Sequence, residues 1–482
     1  MKSSFTPVVG GFYPDPSITR CGDSYFLAHS SFEFFPGVPI WESQDLIHWN
    51  QIGNVFDRPT QFAPGIAASS QGVYAPTLRY HSGKFWMVTT NVSGAGSQSL
   101  VHAENPEGPW SNALSIPTGG GIDPDLAWDG NNCYLTYSTS SDEQQSISQA
   151  KVDLQTGGLL ESPRVIWHGT GAQWAESPHL YHHGDWWYLL IAEGGTERGH
   201  CISVARSRSP EGPFEGCPNN PIFTHRSLGH PVFSVGHGDM VECPDGTWAM
   251  VYLGVRPKGW IPGHHVNGRE TFLARIEWTD DWPVVVENGF EIPFLDSSFV
   301  DSFEGSLHPR WSSPGLAPDV IGKRTKGGLE LGHAIAPNGS PSGMAFHIRD
   351  LRWLAEVDVS AQGSPALRLR QDERHWYEVG VQDGRAYATL HIGPVENTFA
   401  DGAPISGERP TLIIETTESL TDGPDDVLLK VRDDAGTRLL TRADGRYLST
   451  ETAGGFIGRV ALLHSVAGKS IFKQVRYRTA AP

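Results

Sequence analysis

A chain of 482 residues is too long for one ordinary hydrophobic core, and a 38% hydrophobic fraction with mean hydropathy of -0.31 describes a soluble globular protein. The net charge of -18 excludes DNA and RNA as partners, since phosphate binding needs basic surface, and no run reaches the ~18 apolar residues of a membrane span. Five cysteines, an odd number without CxxC spacing, indicate neither a zinc site nor a full disulfide framework.

The 55 glycines and 35 prolines have no collagen-like period. With 16 tryptophans, 13 tyrosines and 21 phenylalanines, they favour many short strands joined by tight turns. The N-terminus, MKSSFTPVVGG, lacks an apolar signal region, so a cytoplasmic location is expected. From there five segments share one pattern, a Gly/Asp turn followed by an aromatic-rich run. They are GDSYFLAHS from Gly22, GKFWMVTT from Gly83, GNNCYLTYS from Gly130, GDWWYLLIA from Gly184 and GTWAMVYLG from Gly246. Their spacings of 61, 47, 54 and 62 residues suit four-stranded propeller blades with variable loops. Each is preceded by a short apolar phrase: DPSIT from Asp15, APTLRY from Ala75, DPDLAW from Asp123, ESPHLYH from Glu176 and HGDMVEC from His237. Each pair reads as a hairpin whose first strand lines the central channel.

Beyond residue 295 come strongly alternating strands such as HWYEVGVQ, TLIIETT and DVLLKVRDD, with turns between them. The expected fold is all-β: a five-bladed β-propeller over residues 1–295, then a concanavalin-like β-sandwich over 300–482.

If the first phrases line the channel, Asp15, Ala75, Asp123, Glu176 and His237 occupy equivalent places around one axis. Three carboxylates then share a pocket. Such a set is costly to bury unless it coordinates a metal or cleaves a glycosidic bond. The accompanying aromatics, Phe12, Tyr13, Phe32, Phe34, Tyr74, Trp128 and Trp174, offer faces for sugar rings and favour the second chemistry. Within GGGIDPDLAWDG, Asp123 aligns with Asp15 and Asp129 belongs to a turn. Asp125 has no assigned role. Glu193 in AEGGT is the rival acid, placed at the end of an outer strand.

The ordered motifs YPDPSI, FEFFPGVPIWESQDLIHW, YAPTLRYH, GIDPDL, ESPHLYH, AEGGT, GHGDMVE and NGRETF resemble glycoside hydrolase family 43, and within it the two-domain β-xylosidases and α-L-arabinofuranosidases. The resemblance implies an inverting exo-glycosidase. Asp15 would be the general base, Glu176 the general acid and Asp123 the carboxylate that raises the acid's pKa. Acid and base would stand ~6.5–9.5 Å apart to admit water. It further implies a pocket of Phe32, Tyr74, Ala75, Thr196, His237 and Arg269, closed by Phe456 from the second domain. No cofactor is required, although relatives admit a calcium ion on the propeller axis beside His237. The expected substrate is an oligosaccharide ending in β-D-xylose, with α-L-arabinofuranose as the alternative; neither nucleic acid nor membrane is a partner, and a homo-oligomer stays open. A catalytically silent carbohydrate-binding protein is the rival of another class. Tyr74, where many relatives carry tryptophan, and Ser177, where glycine is common, are departures at the pocket rim.

Overall fold

The computed structural model describes residues 5–62, 68–94, 97–141 and 144–480. No helix among them is long and apolar enough to cross a membrane. The repeated phrases fold as hairpins. Gly22, Gly83, Gly130, Gly184 and Gly246 all have positive φ, between 56° and 81°, and an added Cβ at any of them would meet nothing. The backbone angle, and not space, therefore asks for glycine at these turns.

Five four-stranded antiparallel sheets follow. Blade 1 contains Ser17–Cys21, Ser24–Ala28, Gly37–Ser43 and Asn50–Phe56. Blade 2 begins with Thr77–His81 and Lys84–Thr90, blade 3 with Ile122–Asp129 and Asn132–Ser141, and blade 4 with Glu176–His183 and Trp186–Glu193. Blade 5 holds Phe233–Glu242, Trp248–Val255, Glu270–Thr279 and Trp282–Val286. The N-terminal segment returns to this last blade: Val9 pairs with Thr271, and the Gly11 N–H donates to Glu270 at 2.9 Å.

On the first strands stand Ser17, Thr77, Asp125, His179 and Asp239, a matching set of positions around the ring. Four of these five meet the guanidinium of Arg79, itself on the first strand of blade 2. Its nitrogens lie 2.7 Å from Asp125, 2.7 Å from Asp239, 3.0 Å from His179 Nδ1 and 3.3 Å from Ser17. Spare carboxylate lone pairs then accept backbone N–H groups of other blades, Ile18 on Asp239 at 2.9 Å and Leu180 on Asp125 at 2.8 Å. Asp125, without a role in the sequence, is thus an axial strut.

Above this layer the regular ladder breaks. Pairing shifts register between Ile122 and Asp125, between Glu176 and His179, and twice between Phe233 and Asp239. Such bulges re-aim side chains at a barrel or blade rim. Asp15, Asp123, Ser177 and His237 take φ of 53°, 53°, 53° and 47°. The equivalence expected for Glu176 is therefore corrected: Ser177, which precedes a proline as Asp15 and Asp123 do, holds the matching position, and Glu176 stands one residue before it.

After Phe299–Asp301 an eight-stranded and a six-stranded antiparallel sheet face each other. They share one core, in which Leu367, Tyr377 and Val379 of the smaller sheet pack with Leu412, Val427 and Val475 of the larger. This is the packing of a β-sandwich. It docks on the propeller through a two-strand pairing of Phe34–Phe35 with Ser313–Pro314, and through a buried ion pair, Arg370 to Glu33 at 3.2 Å.

Arg79→Met should destabilise the protein by about 3–5 kcal/mol, because Asp125 and Asp239 would keep buried charge without the guanidinium that neutralises it. Urea unfolding of the variant against the wild type measures this. A loss below 1 kcal/mol, on the order of a surface pair, would contradict the axial role.

Candidate active site

The left-handed start of blade 1 turns the Asp15 carboxyl inward, where it is 5% exposed. Arg269 donates to it at 2.7 and 3.4 Å, Ser30 Oγ at 2.5 Å, and His237 Nδ1 lies 3.6 Å away. Burial alone would raise its pKa, but Arg269 first, with the Ser30 hydroxyl, outweighs that and holds it below the ordinary range. Arg269 does not pair with its neighbour Glu270, which binds Arg256 at 2.6 and 2.9 Å.

Asp123, 8% exposed, accepts the Ser177 N–H at 3.1 Å. Burial, then the charges of Glu176 and Asp15, raises its carboxyl well above the usual value. Glu176 is pushed up to about 7, by burial first and the charge of Asp15 second, against Arg269 and a hydrogen bond from Gln145. The expected source of that charge was Asp123; here Asp123 is itself raised, and the two groups titrate as a pair. The environment thus favours the charged form of Asp15 and the protonated forms of Asp123 and Glu176.

Glu176, Thr196, Arg269 and Phe456 line one cavity of about 680 Å³. Thr196 accepts from Arg269 at 3.3 Å. It is displayed by a turn in which Gly194 and Gly195 have φ of 87° and 73°; a Cβ on Gly194 would stand 2.2 Å from the Gly199 carbonyl oxygen. Phe32 and Tyr74 pack together with ring centres 5.2 Å apart, and Ala75 is buried beside them. Phe456 reaches across from the sandwich. Its ring centre lies 6.3 Å from that of Phe32 and 5.5 Å from the Arg269 guanidinium carbon, and the residue is 38% exposed. Ser70 Oγ takes the Phe456 N–H at 2.8 Å, and Glu451 takes the His265 N–H at 2.9 Å, so segment 450–456 is pinned to the propeller.

The aromatics divide. Trp174, 50% exposed, is on the cavity wall, whereas Phe12 and Phe34 pack against the sandwich and Tyr13 against Trp41. Trp128 stacks on His81 at 4.3 Å and lines the opposite mouth of the channel, so it is not a sugar platform of this site. Glu193 is fully buried and accepts from Thr170 N and Oγ at 2.8 Å each, which is a structural use.

His237 is neutral, its pKa lowered to about 3 chiefly by burial. Among the described residues, the carboxylate beside it is that of Asp15, already held by Arg269. Calcium takes six to eight oxygens, and this donor set, with an arginine beside it, does not suit one. The glycines flanking His237 serve packing: a Cβ on Gly236 would lie 2.1 Å from His200, and one on Gly238 2.7 Å from Ile202. His200, Ser30 and Gln145 carry no signal in the sequence, because each reaches the site from a strand or loop remote in the chain. Arg79 is different. The recurrence of Ser17, Thr77, Asp125, His179 and Asp239 in the blade phrases is the signal from which an axial polar layer for it could be read.

The family model for "Glycosyl hydrolases family 43" matches residues 5–283. A "Xylosidase/arabinosidase" of Butyrivibrio fibrisolvens is 46% identical over 292 residues, 58% of this chain and 56% of that protein, so the chain spans little more than half of that relative. A "Non-reducing end alpha-L-arabinofuranosidase" of Bacteroides ovatus is 42% identical over 95% of this chain and 90% of its own length. Among solved structures, "Bacteroides ovatus Xyloglucan PUL GH43B" superposes with a TM-score of 0.88 at 30% identity, covering 98% of this chain and 99% of that one. With the propeller, the three carboxylates and these matches in agreement, the chain belongs to family 43 of the glycosyl hydrolases.

Proposed function

We propose that the protein is an inverting exo-glycosidase that releases terminal β-D-xylosyl residues from xylo-oligosaccharides. The observation that supports it most is the gathering of three carboxyls at one place: Asp15 is held by Arg269 at 2.7 and 3.4 Å, Arg269 and Glu176 share one cavity wall, and Asp123 accepts the N–H of the residue after Glu176. In this reading Asp15 takes a proton from water as the water oxygen attacks the anomeric carbon. Glu176 gives its proton to the departing glycosidic oxygen as that bond breaks. Asp123 is a positioning residue that shares the proton with Glu176 until substrate arrives. Arg269 and Thr196 would bind sugar hydroxyls, and Phe32, Tyr74 and Phe456 would bound an apolar sugar face. Phe456, reaching across from the sandwich to wall one side of the cavity, supports binding of a chain end over a polymer interior. Relatives named as xylosidases and as arabinofuranosidases support a second reading, release of terminal α-L-arabinofuranosyl residues from arabinoxylan or arabinan oligosaccharides.

Side-by-side turnover of 4-nitrophenyl β-D-xylopyranoside and α-L-arabinofuranoside ranks the two sugars, and equal rates mean a dual enzyme. No hydrolysis of either, with sugar binding retained, would instead establish a carbohydrate-binding protein. Proton NMR should show the product first as the inverted anomer; a retained one overturns the assignment of Asp15 as base.

Glu176→Gln should lower kcat ~10²–10⁴-fold on xylobiose, and far less on an aryl xyloside whose leaving group needs no proton. In the wild type, kcat/KM should fall as pH rises through about 7, when Glu176 loses its proton, and fall again in acid as Asp15 gains one. The basic limb should vanish in Glu176→Gln. Phe456→Ala should raise KM with little change in kcat, because the ring touches the pocket wall and no reacting group.

A further inference from the structure

Away from the cavity, three metal-ligating side chains converge without a use in the reaction above. His225 and His230 sit in the 217–232 connection from blade 4 to blade 5, and Glu287 directly follows the last strand of blade 5, Trp282–Val286. Their ligand atoms all lie within 4.8 Å of one another. Glu287 Oε2 is 3.3 Å from His225 Nε2 and 3.7 Å from His230 Nε2. Several other histidine–carboxylate contacts of this chain close further: His464 to Glu378 at 2.6 Å, His265 to Glu451 and His48 to Asp45 at 2.7 Å. A tetrahedral ion with bonds of ~2.0–2.1 Å has ligand-to-ligand edges of about 3.3–3.4 Å; the His225 contact matches, and the two imidazoles, whose ring centres lie 3.8 Å apart, would spread on binding.

The surroundings orient the same atoms. His225 Nδ1 lies 2.9 Å from the Val232 carbonyl, which fixes its proton there and leaves the Nε2 lone pair free. His230 Nδ1 lies 3.0 Å from that carbonyl and 3.2 Å from the Val232 N–H; an ion at Nε2 would select the first contact. Tyr252 donates to Glu287 Oε1 at 3.2 Å and leaves Oε2 facing the imidazoles. Phe5 and Phe223 set their rings edge-on against His230 and His225, an apolar shell.

We propose that His225, His230 and Glu287 form a zinc site, with water as the fourth ligand. Two imidazoles disfavour calcium and magnesium, which take oxygen ligands, and three protein donors with one open position suit tetrahedral zinc. The ion would tie the entry of blade 5 to its last strand. Val232 leads directly into Phe233 and Ser234 of the cavity wall, so the clip would stiffen that wall without touching substrate.

Isothermal titration of the metal-stripped full chain with zinc should give one site per chain and a rise in Tm, lost on EDTA. His230→Ala and the near-isosteric Glu287→Gln should each weaken binding at least ~100-fold, given that losing even an outer-shell partner costs 10–100-fold. Cobalt(II) bound to the wild type should give the intense visible absorption of a tetrahedral site, which needs no variant to fold. A wild type that takes up no zinc, a pale octahedral cobalt spectrum, or folded variants that bind zinc as well as the wild type overturns the proposal.

Discussion

A single guanidinium on the propeller axis sets the frame in which everything above it is placed. Arg79 belongs to blade 2 and contacts Ser17, Asp125, His179 and Asp239 from the other four blades. Two carboxylates buried together at the centre of a ring would repel, and one fixed cation between them removes that cost. Their remaining lone pairs then satisfy backbone N–H groups of other blades, so charge neutralisation and ring closure are one network. Each blade is thereby held at a defined height, and the residues two positions earlier arrive together at the mouth of the channel.

At that mouth regular pairing gives way to left-handed residues and bulges. Non-glycine residues adopt positive φ at a cost, and four first strands do so at matching places, Asp15, Asp123, Ser177 and His237. The strained turn points a side chain at the axis where a pleated strand would point it into a neighbouring blade. The carboxylates so gathered are not alike. Asp15 meets a guanidinium and a hydroxyl, which hold its pKa down; burial and neighbouring charge push those of Asp123 and Glu176 up. Neighbouring carboxyls are thus set apart by environment and not by residue type.

The sandwich contributes to the same cavity. Segment 450–456 is fastened to the propeller through Glu451 and Ser70, and its Phe456 completes a cluster with Phe32 and Tyr74. The buried Glu33–Arg370 pair lies in the same contact, so the relative position of the two units and the shape of the pocket depend on each other.

The linear pattern determined the repeat. Glycine turns followed by aromatic runs dictate hairpins, and five of them at blade-length spacing dictate a propeller whose acidic phrases meet on the axis. Asp15 and Asp123 were legible for that reason, and Phe456 and Arg269 through the motifs around them. What only the tertiary structure decided is the assignment of each neighbour. The one-residue offset of Glu176 arises from a bulge, and bulges leave little trace in a period-two pattern. Trp128 belongs to the far mouth because it lies at the other end of its strand. Ser30, Gln145 and His200 come from loops and strands whose place around the ring no local pattern encodes. Asp123 illustrates the division best: its sequence position put it in the channel, but whether it carries a charge there depends on burial and on Glu176, which only the folded ring supplies.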